Sequence, residues 1–160
     1  MAINKYSRDR YSRQTVFPGI GEDGQQKLGG SSVVIIGCGA LGCTSASLLV
    51  RAGVGKVRIV DRDFVEYHNL HRQVLFNEED VKSRIPKAIA AERHLKNANS
   101  TIIVEGIVAD VNYSNIERFC QGANVILDGL DNLETRFLIN DVALKHKIPW
   151  IASLTPGLSP

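Results

Sequence analysis

Short runs of β-branched residues alternate along this chain with segments whose apolar positions recur at helical spacing. Val33-Val34-Ile35-Ile36 is the first such run, and an Ala/Ser/Leu-rich helical pattern follows it from about Ala40 to Ala52. An unbroken apolar run of this length suits a strand buried on both faces, as in a parallel sheet. Gly53 and Gly55 interrupt the helical pattern before a second run, Lys56-Val57-Arg58-Ile59-Val60, which ends in Asp61. Strand, helix, strand makes one βαβ unit. Further on, Pro86 suits the first turn of a helix reaching about Lys96, with Ala88, Ala91 and Leu95 on one face. Thr101 to Ala109 reads as a third strand with a bend at Gly106, Asn115 to Gln121 as helix and Asn124 to Leu127 as a buried strand. Leu133 to Lys145 reads as helix, and Pro149 to Ser153 opens a fifth strand.

Strands that alternate with helices predict an α/β, Rossmann-like, doubly wound and mainly parallel sheet with helices on both faces. The simplest strand order is 3-2-1-4-5, which makes the first and fourth strands neighbours whose connections leave in opposite directions. A crevice then opens at their carboxyl ends, where such sheets bind ligands. Two stretches stand apart from the alternation. Tyr6 to Gly30 shows only a brief helical hint at Gln25 to Leu28, so residues 1–30 read as an amino-terminal arm and 31–160 as the domain that carries the alternation. Arg62 to Arg84 is long and polar for a connection inside such a domain, and connections of that length tend to carry function.

The glycines give the crevice its chemistry. Gly37, Gly39 and Gly42 fill a G-x-G-x-x-G spacing between strand and helix: the first for the turn, the second for approach to a phosphate, the third for close packing of helix on strand. A phosphate would sit at a helix N-terminus, where unpaired N–H groups and the helix dipole favour negative charge. Asp61, about twenty residues on, stands where an acid can bind a ribose hydroxyl. Across the crevice lies Asp128-Gly129-Leu130-Asp131-Asn132. Two acids beside a phosphate loop would repel it unless a cation intervenes, which points to a divalent metal at Asp131; a plain turn and helix cap would use the same residues. Lys87 falls in the first turn of its helix, where a cation opposes the dipole, so another group must compensate it.

Composition narrows the partners. The net charge of +2 over 160 residues, with cations scattered, points to neither nucleic acid nor a membrane surface. No apolar stretch approaches a membrane span and Met1 to Arg10 is polar, which predicts a cytoplasmic location. Cys38, Cys43 and Cys120 form no C-x-x-C pair, so neither a disulfide framework nor a zinc site is expected. Cys38 inside the glycine loop reads as a small residue in a crowded turn rather than a nucleophile. His68, His71, His94 and His146 make no metal-ligand pattern.

The run Asp61-Arg62-Asp63-Phe64-Val65-Glu66-Tyr67-His68-Asn69-Leu70-His71-Arg72-Gln73, taken with Tyr11-Ser12-Arg13-Gln14, closely resembles the adenylyltransferases that activate ubiquitin-like proteins. That superfamily includes the molybdopterin-synthase and thiamine sulfur-carrier adenylyltransferases. The likeness covers about Arg10 to Ile151. It implies that ATP reacts with the terminal carboxylate of a small β-grasp carrier ending in Gly-Gly, giving an acyl-adenylate and pyrophosphate. Carried over by motif, Gly37, Gly39, Ala40 and Gly42 would cradle the nucleotide, with Ala40 standing where many relatives have a fourth glycine. Asp61 would hold the ribose, with Asp63 and Gln73 also in the nucleotide site. Asn69, Arg72 and Lys87 would contact the phosphates, Asp131 would hold Mg²⁺ with Asn132 beside it, and Arg13 would reach into the site of the other subunit of a homodimer.

Such a carboxylate is its own nucleophile, so the enzyme supplies position and positive charge rather than a Ser–His or Cys–His pair. Bacterial relatives usually run longer, with two C-x-x-C pairs for zinc and a downstream cysteine. This chain ends at residues 154–160, just after the fifth strand, so it reads as truncated at its carboxyl end and holding the nucleotide half. Two rivals stay open. An NAD-dependent oxidoreductase fits the glycine loop and Asp61 equally well but leaves Arg13, the N-L-x-R-Q run and Asp131 unexplained. A non-catalytic subunit of a heteromeric activating enzyme fits the short chain. Relatives that adenylate tRNA-bound threonylcarbamoyl groups or short peptides share the same chemistry, and the residues do not choose the acyl substrate.

Overall fold

The computed structural model describes residues 5–152. Five parallel strands, β1 (Ser32–Ile36), β2 (Lys56–Asp61), β3 (Ile103–Val108), β4 (Val125–Asp128) and β5 (Trp150–Ala152), form one sheet. Its order is β3-β2-β1-β4-β5, as the alternation of elements predicts. β1 lies in the middle because Val33 to Ile36 are apolar on both faces, and all four are buried. Alternation along this strand sorts the core into two layers. Val33 and Ile35 join the buried cluster with Ile59, Ala46, Val50 and Leu95, whereas Val34 and Ile36 join the one with Ile126, Phe119 and Ile139. The first layer packs under helices α3 (Ala40–Ala52) and α5 (Lys87–Ala98), the second under α6 (Ile116–Cys120) and α7 (Leu133–His146).

Register sets the functional end of the sheet. Ile36 pairs with Val60 on one side and Asp128 on the other, so β1, β2 and β4 terminate together. The next residues knit these ends: Gly37 N–H donates to Val60 O (2.9 Å) and Gly129 N–H to Ile36 O (2.8 Å).

Two stretches differ from the sequence reading. The amino-terminal segment holds two helices, α1 (Lys5–Thr15) and α2 (Gly21–Gly29), where the residues show only a helical hint at Gln25 to Leu28. Both are made mostly of polar and charged residues, so no apolar stripe marks them in the sequence; polar contacts fix them instead. The buried Tyr11 hydroxyl accepts from Asn99 Nδ2 (2.9 Å), and Gln14 and Gln25 both donate to Ala52 O (3.0 Å each), satisfying a carbonyl at the end of α3. The connection from Arg62 to Arg84 holds a 3₁₀ turn, Tyr67–Asn69, and a short helix, α4 (Glu78–Lys82). Buried Val65 and Phe76 root it in the core, and the fully buried carboxylate of Asp80 pairs with Arg93 and with His94 Nε2 (2.8 Å) on α5. The fifth strand runs Trp150–Ala152 among the described residues, and residues 153–160 lie outside them.

Candidate functional site

The turn out of β1 is built from glycine for two separate reasons. Gly37 has φ +92°, a conformation that costs other residues energy, and a side chain there would also press on Gly129. A Cβ on Gly42 would collide with Gly37 O, so helix and strand approach as closely as backbone allows. Gly39 is different. A Cβ there would meet only Gly129 O, at an ordinary 3.7 Å, so the protein leaves the space beside this residue open. Gly39 is the N-cap of α3, a 13-residue helix with no acid in its first turn, and as a glycine it offers no side chain to cap the leading N–H groups. An anion-binding end results.

Beside this loop, the end of β2 is wired inward. Asp61 Oδ2 accepts from Cys38 N–H (2.6 Å) and Oδ1 from Asp63 N–H (2.7 Å). Burial raises its pKa despite these bonds and the nearby Lys87. Asp63 in turn holds Lys87: its Oδ2 lies 3.1 Å from Nζ and its carbonyl accepts from Lys87 N–H (2.8 Å). Asp63 is therefore the compensating group that a cation at the start of α5 requires. Lys87 is buried, and the carboxylate that pairs with its ammonium is exposed. Cys38 and Cys43 are fully buried with their sulfurs 3.7 Å apart, and that contact together with burial pushes the Cys38 thiol well up, which leaves it inert as a nucleophile.

Across the crevice, Asp128 corrects one step of the sequence argument. Its charge needs no metal, because Arg136 Nε lies 2.8 Å from Oδ2, while Oδ1 accepts from Leu130 N–H (2.8 Å). Burial still raises its pKa. Asn132 caps α7, its Oδ1 accepting from Thr135 N–H (3.0 Å), which is the helix-cap use of that residue. Asp131 is exposed between them. Among the described residues, no group of three or more His, Cys, Asp or Glu is placed to hold a metal. A lone carboxylate still fits Mg²⁺ where phosphate oxygens and water complete the shell.

The 62–84 connection supplies the remaining residues. Asn69 is buried, its Oδ1 accepting from Glu66 N–H (3.0 Å). Arg72 is exposed and donates to His68 O (2.7 Å). Gln73 is buried, and its Oε1 makes no hydrogen bond among the described residues. Arg13 belongs to α1, away from the glycine loop. Its neighbours Tyr11 and Gln14 sit at Gly53 and Ala52, the far end of α3 from the glycine loop, about 18 Å away by the rise of that helix. The chain's own crevice does not receive it. Sequence reasoning missed Arg136, although the signal that exposed Lys87, a cation in the first turn of a helix, was present there too.

Sheet order and loop geometry define a Rossmann-like, doubly wound domain with a nucleotide-type phosphate loop. Within that class the chain belongs to the ThiF family, whose model matches residues 11–159. It is 54% identical over 148 residues to the sulfur carrier protein ThiS adenylyltransferase of Bacillus subtilis, an alignment covering 92% of this chain and 44% of that protein. The fold also matches the crystal structure of E. coli MccB with ATP, with a TM-score of 0.81 and 30% identity over 93% of this chain and 46% of the other. The E. coli tRNA N6-threonylcarbamoyladenosine dehydratase TcdA, solved in complex with ATP, superposes with a TM-score of 0.90 at 21% identity, covering all of this chain and 65% of its own. The chain thus spans about half the length of the first two proteins. No helix among the described residues is long and apolar enough to cross a membrane.

Proposed function

We propose that this chain is the nucleotide-binding part of an ATP-dependent adenylyltransferase that activates the terminal carboxylate of a small ubiquitin-like sulfur carrier. The observation that carries the reading is one meeting point at the carboxyl ends of the sheet. The open glycine loop, the Lys87 ammonium held by Asp63 and the exposed carboxylate of Asp131 all belong to the ends of β1, β2 and β4 or to the helix after the connection. A relative named for adenylating ThiS supports the carrier class, and a related protein solved with ATP supports the nucleotide.

In the proposed reaction a carrier carboxylate oxygen bonds to the α-phosphorus while the bond from that phosphorus to the β-phosphate oxygen breaks, releasing pyrophosphate. Gly37, Gly39, Ala40 and Gly42 bind the nucleotide, and Asp61, oriented by the Cys38 and Asp63 amides, takes the ribose. Asn69, Arg72, Gln73 and Lys87 orient the phosphates and neutralise charge that grows on the departing pyrophosphate. Mg²⁺ bound at Asp131 would supply further neutralisation. The distance of Arg13 from its own glycine loop supports a role in the site of a second copy, and with it a homodimer as the working unit. The enzyme acts in the cytoplasm.

Heating the chain with equal concentrations of Mg-ATP or NAD tests the reading. Mg-ATP should stabilise it more, and Arg72→Ala should remove most of the difference; stronger stabilisation by NAD would favour a nicotinamide-dependent oxidoreductase. Carrier-stimulated ATP–pyrophosphate exchange reports the acyl step. Mixing Arg13→Ala and Arg72→Ala subunits should restore part of the exchange that each lacks, and no complementation would remove Arg13 from the neighbour's site.

A further inference from the structure

We infer that Arg136 is a positioning residue of the nucleotide site: it locks the turn between β4 and α7 against the glycine loop and so sets where Asp131 stands. Arg136 is the fourth residue of α7, where a cation works against the helix dipole, so its place is not explained by the helix it belongs to. Its guanidinium serves two partners at once. Nε lies 2.8 Å from Asp128 Oδ2, and Nη2 donates to Leu130 O at 2.6 Å. Asp128 Oδ1 accepts from the N–H of the same residue, Leu130, at 2.8 Å. Both backbone groups of Leu130 are therefore held by a single ion pair whose side chains are 13% and 0% exposed.

The turn so held is wedged on its other side. Gly129 donates to Ile36 O, and a Cβ on Gly129 would lie 2.5 Å from Gly37 O and 3.2 Å from Gly42 Cα. Backbone thus touches backbone between the β4 turn and the phosphate loop, and the Arg136–Asp128 pair closes the turn from behind. Asp131 follows Leu130 directly, so its carboxylate inherits this position. A buried ion pair adds little stability over well-packed apolar residues of similar size, so geometry is the better account of its presence. A lysine would keep the charge but not the planar fork that reaches Asp128 and Leu130 together.

The metal half of the inference rests on the proposed function; the positioning half does not. The test uses Arg136→Lys and an apolar swap of both partners, Asp128→Leu with Arg136→Met, each compared with the parent chain by urea unfolding, by calorimetric binding of Mg-ATP and of AMP, and by amide hydrogen exchange. The swap is expected to keep the urea midpoint while Mg-ATP binds at least about tenfold more weakly and AMP binds within about twofold of the parent, with Arg136→Lys intermediate. The Gly129 amide, whose bond neither substitution touches, should exchange about tenfold faster in the swap. Parent-like Mg-ATP binding together with parent-like Gly129 exchange in a folded swap overturns the inference. Should the parent itself fail to bind Mg-ATP, the functional reading falls, and Gly129 exchange alone still decides whether Arg136 positions the turn. Should the swap fail to fold, Arg136→Lys carries the same two readouts.

Discussion

The ends of β2 and β4 flank the same phosphate loop and carry the same device, an aspartate at the last strand residue with a second aspartate two or three positions on. They use it in opposite ways. At β2 the first acid, Asp61, accepts two backbone amides and keeps part of its surface, while the second, Asp63, is spent on Lys87. At β4 the first acid, Asp128, is buried and spent on Arg136, while the second, Asp131, stands exposed. Each end thus carries one ion pair and one carboxylate that stands outside it. The contrast shows why acidic residues near a phosphate loop cannot be counted as metal ligands from their number alone.

Breaking the β4 pair should have the largest effect on stability. Asp128→Ala leaves the Arg136 guanidinium buried without its carboxylate and should lose about 3 to 5 kcal/mol in urea unfolding, whereas Lys87→Ala, which leaves the 57% exposed Asp63 carboxylate to water, should lose far less. Equal losses would erase the distinction between the two ends. Gly42→Ala strikes the loop that both ends share: its methyl meets Gly37 O, and overpacking should cost about 1 to 3 kcal/mol, with weaker nucleotide binding by calorimetry.

A thiol on the β4 face sharpens the comparison from another side. Burial pushes the Cys120 thiol up to about 11 from an ordinary 9.0. Between those values the unfolded chain releases this proton and the folded chain keeps it, so the contribution is intact below pH 9 and is lost as pH rises toward 11. A Cys120→Ala variant should show a flatter fall in urea midpoint across that range. At β2, Lys87→Ala should weaken Mg-ATP binding by about 1.5 to 3 kcal/mol, the value of a charge-assisted contact. The smallest change in stability is expected for the exposed acid. Asp131→Asn should move unfolding by less than about 0.5 kcal/mol yet weaken the Mg²⁺ dependence of ATP binding, and an unaltered dependence would remove Asp131 from the metal site.

Much of this was legible in the residues themselves. β-branched runs too apolar to face water had to be central parallel strands, and glycines at positions 37, 39 and 42 had to mark the turn between strand and helix, because period and steric demand are local properties. The misplacement of Lys87 against its helix dipole was also local, and it announced a partner without naming one. What only the tertiary structure decided is which charge answers which. Asp63 meets Lys87 across 24 positions of sequence, Tyr11 meets Asn99 across 88, and the amino-terminal helices owe their place to such polar contacts rather than to an apolar stripe. Asp128 and Arg136 are separated by a turn whose path no periodicity reveals, so the same two acids that suggested one metal site became one ion pair and one exposed carboxylate. Hydrophobic pattern is written residue by residue, whereas the pairing of charges depends on distances that exist only once the chain has closed on itself.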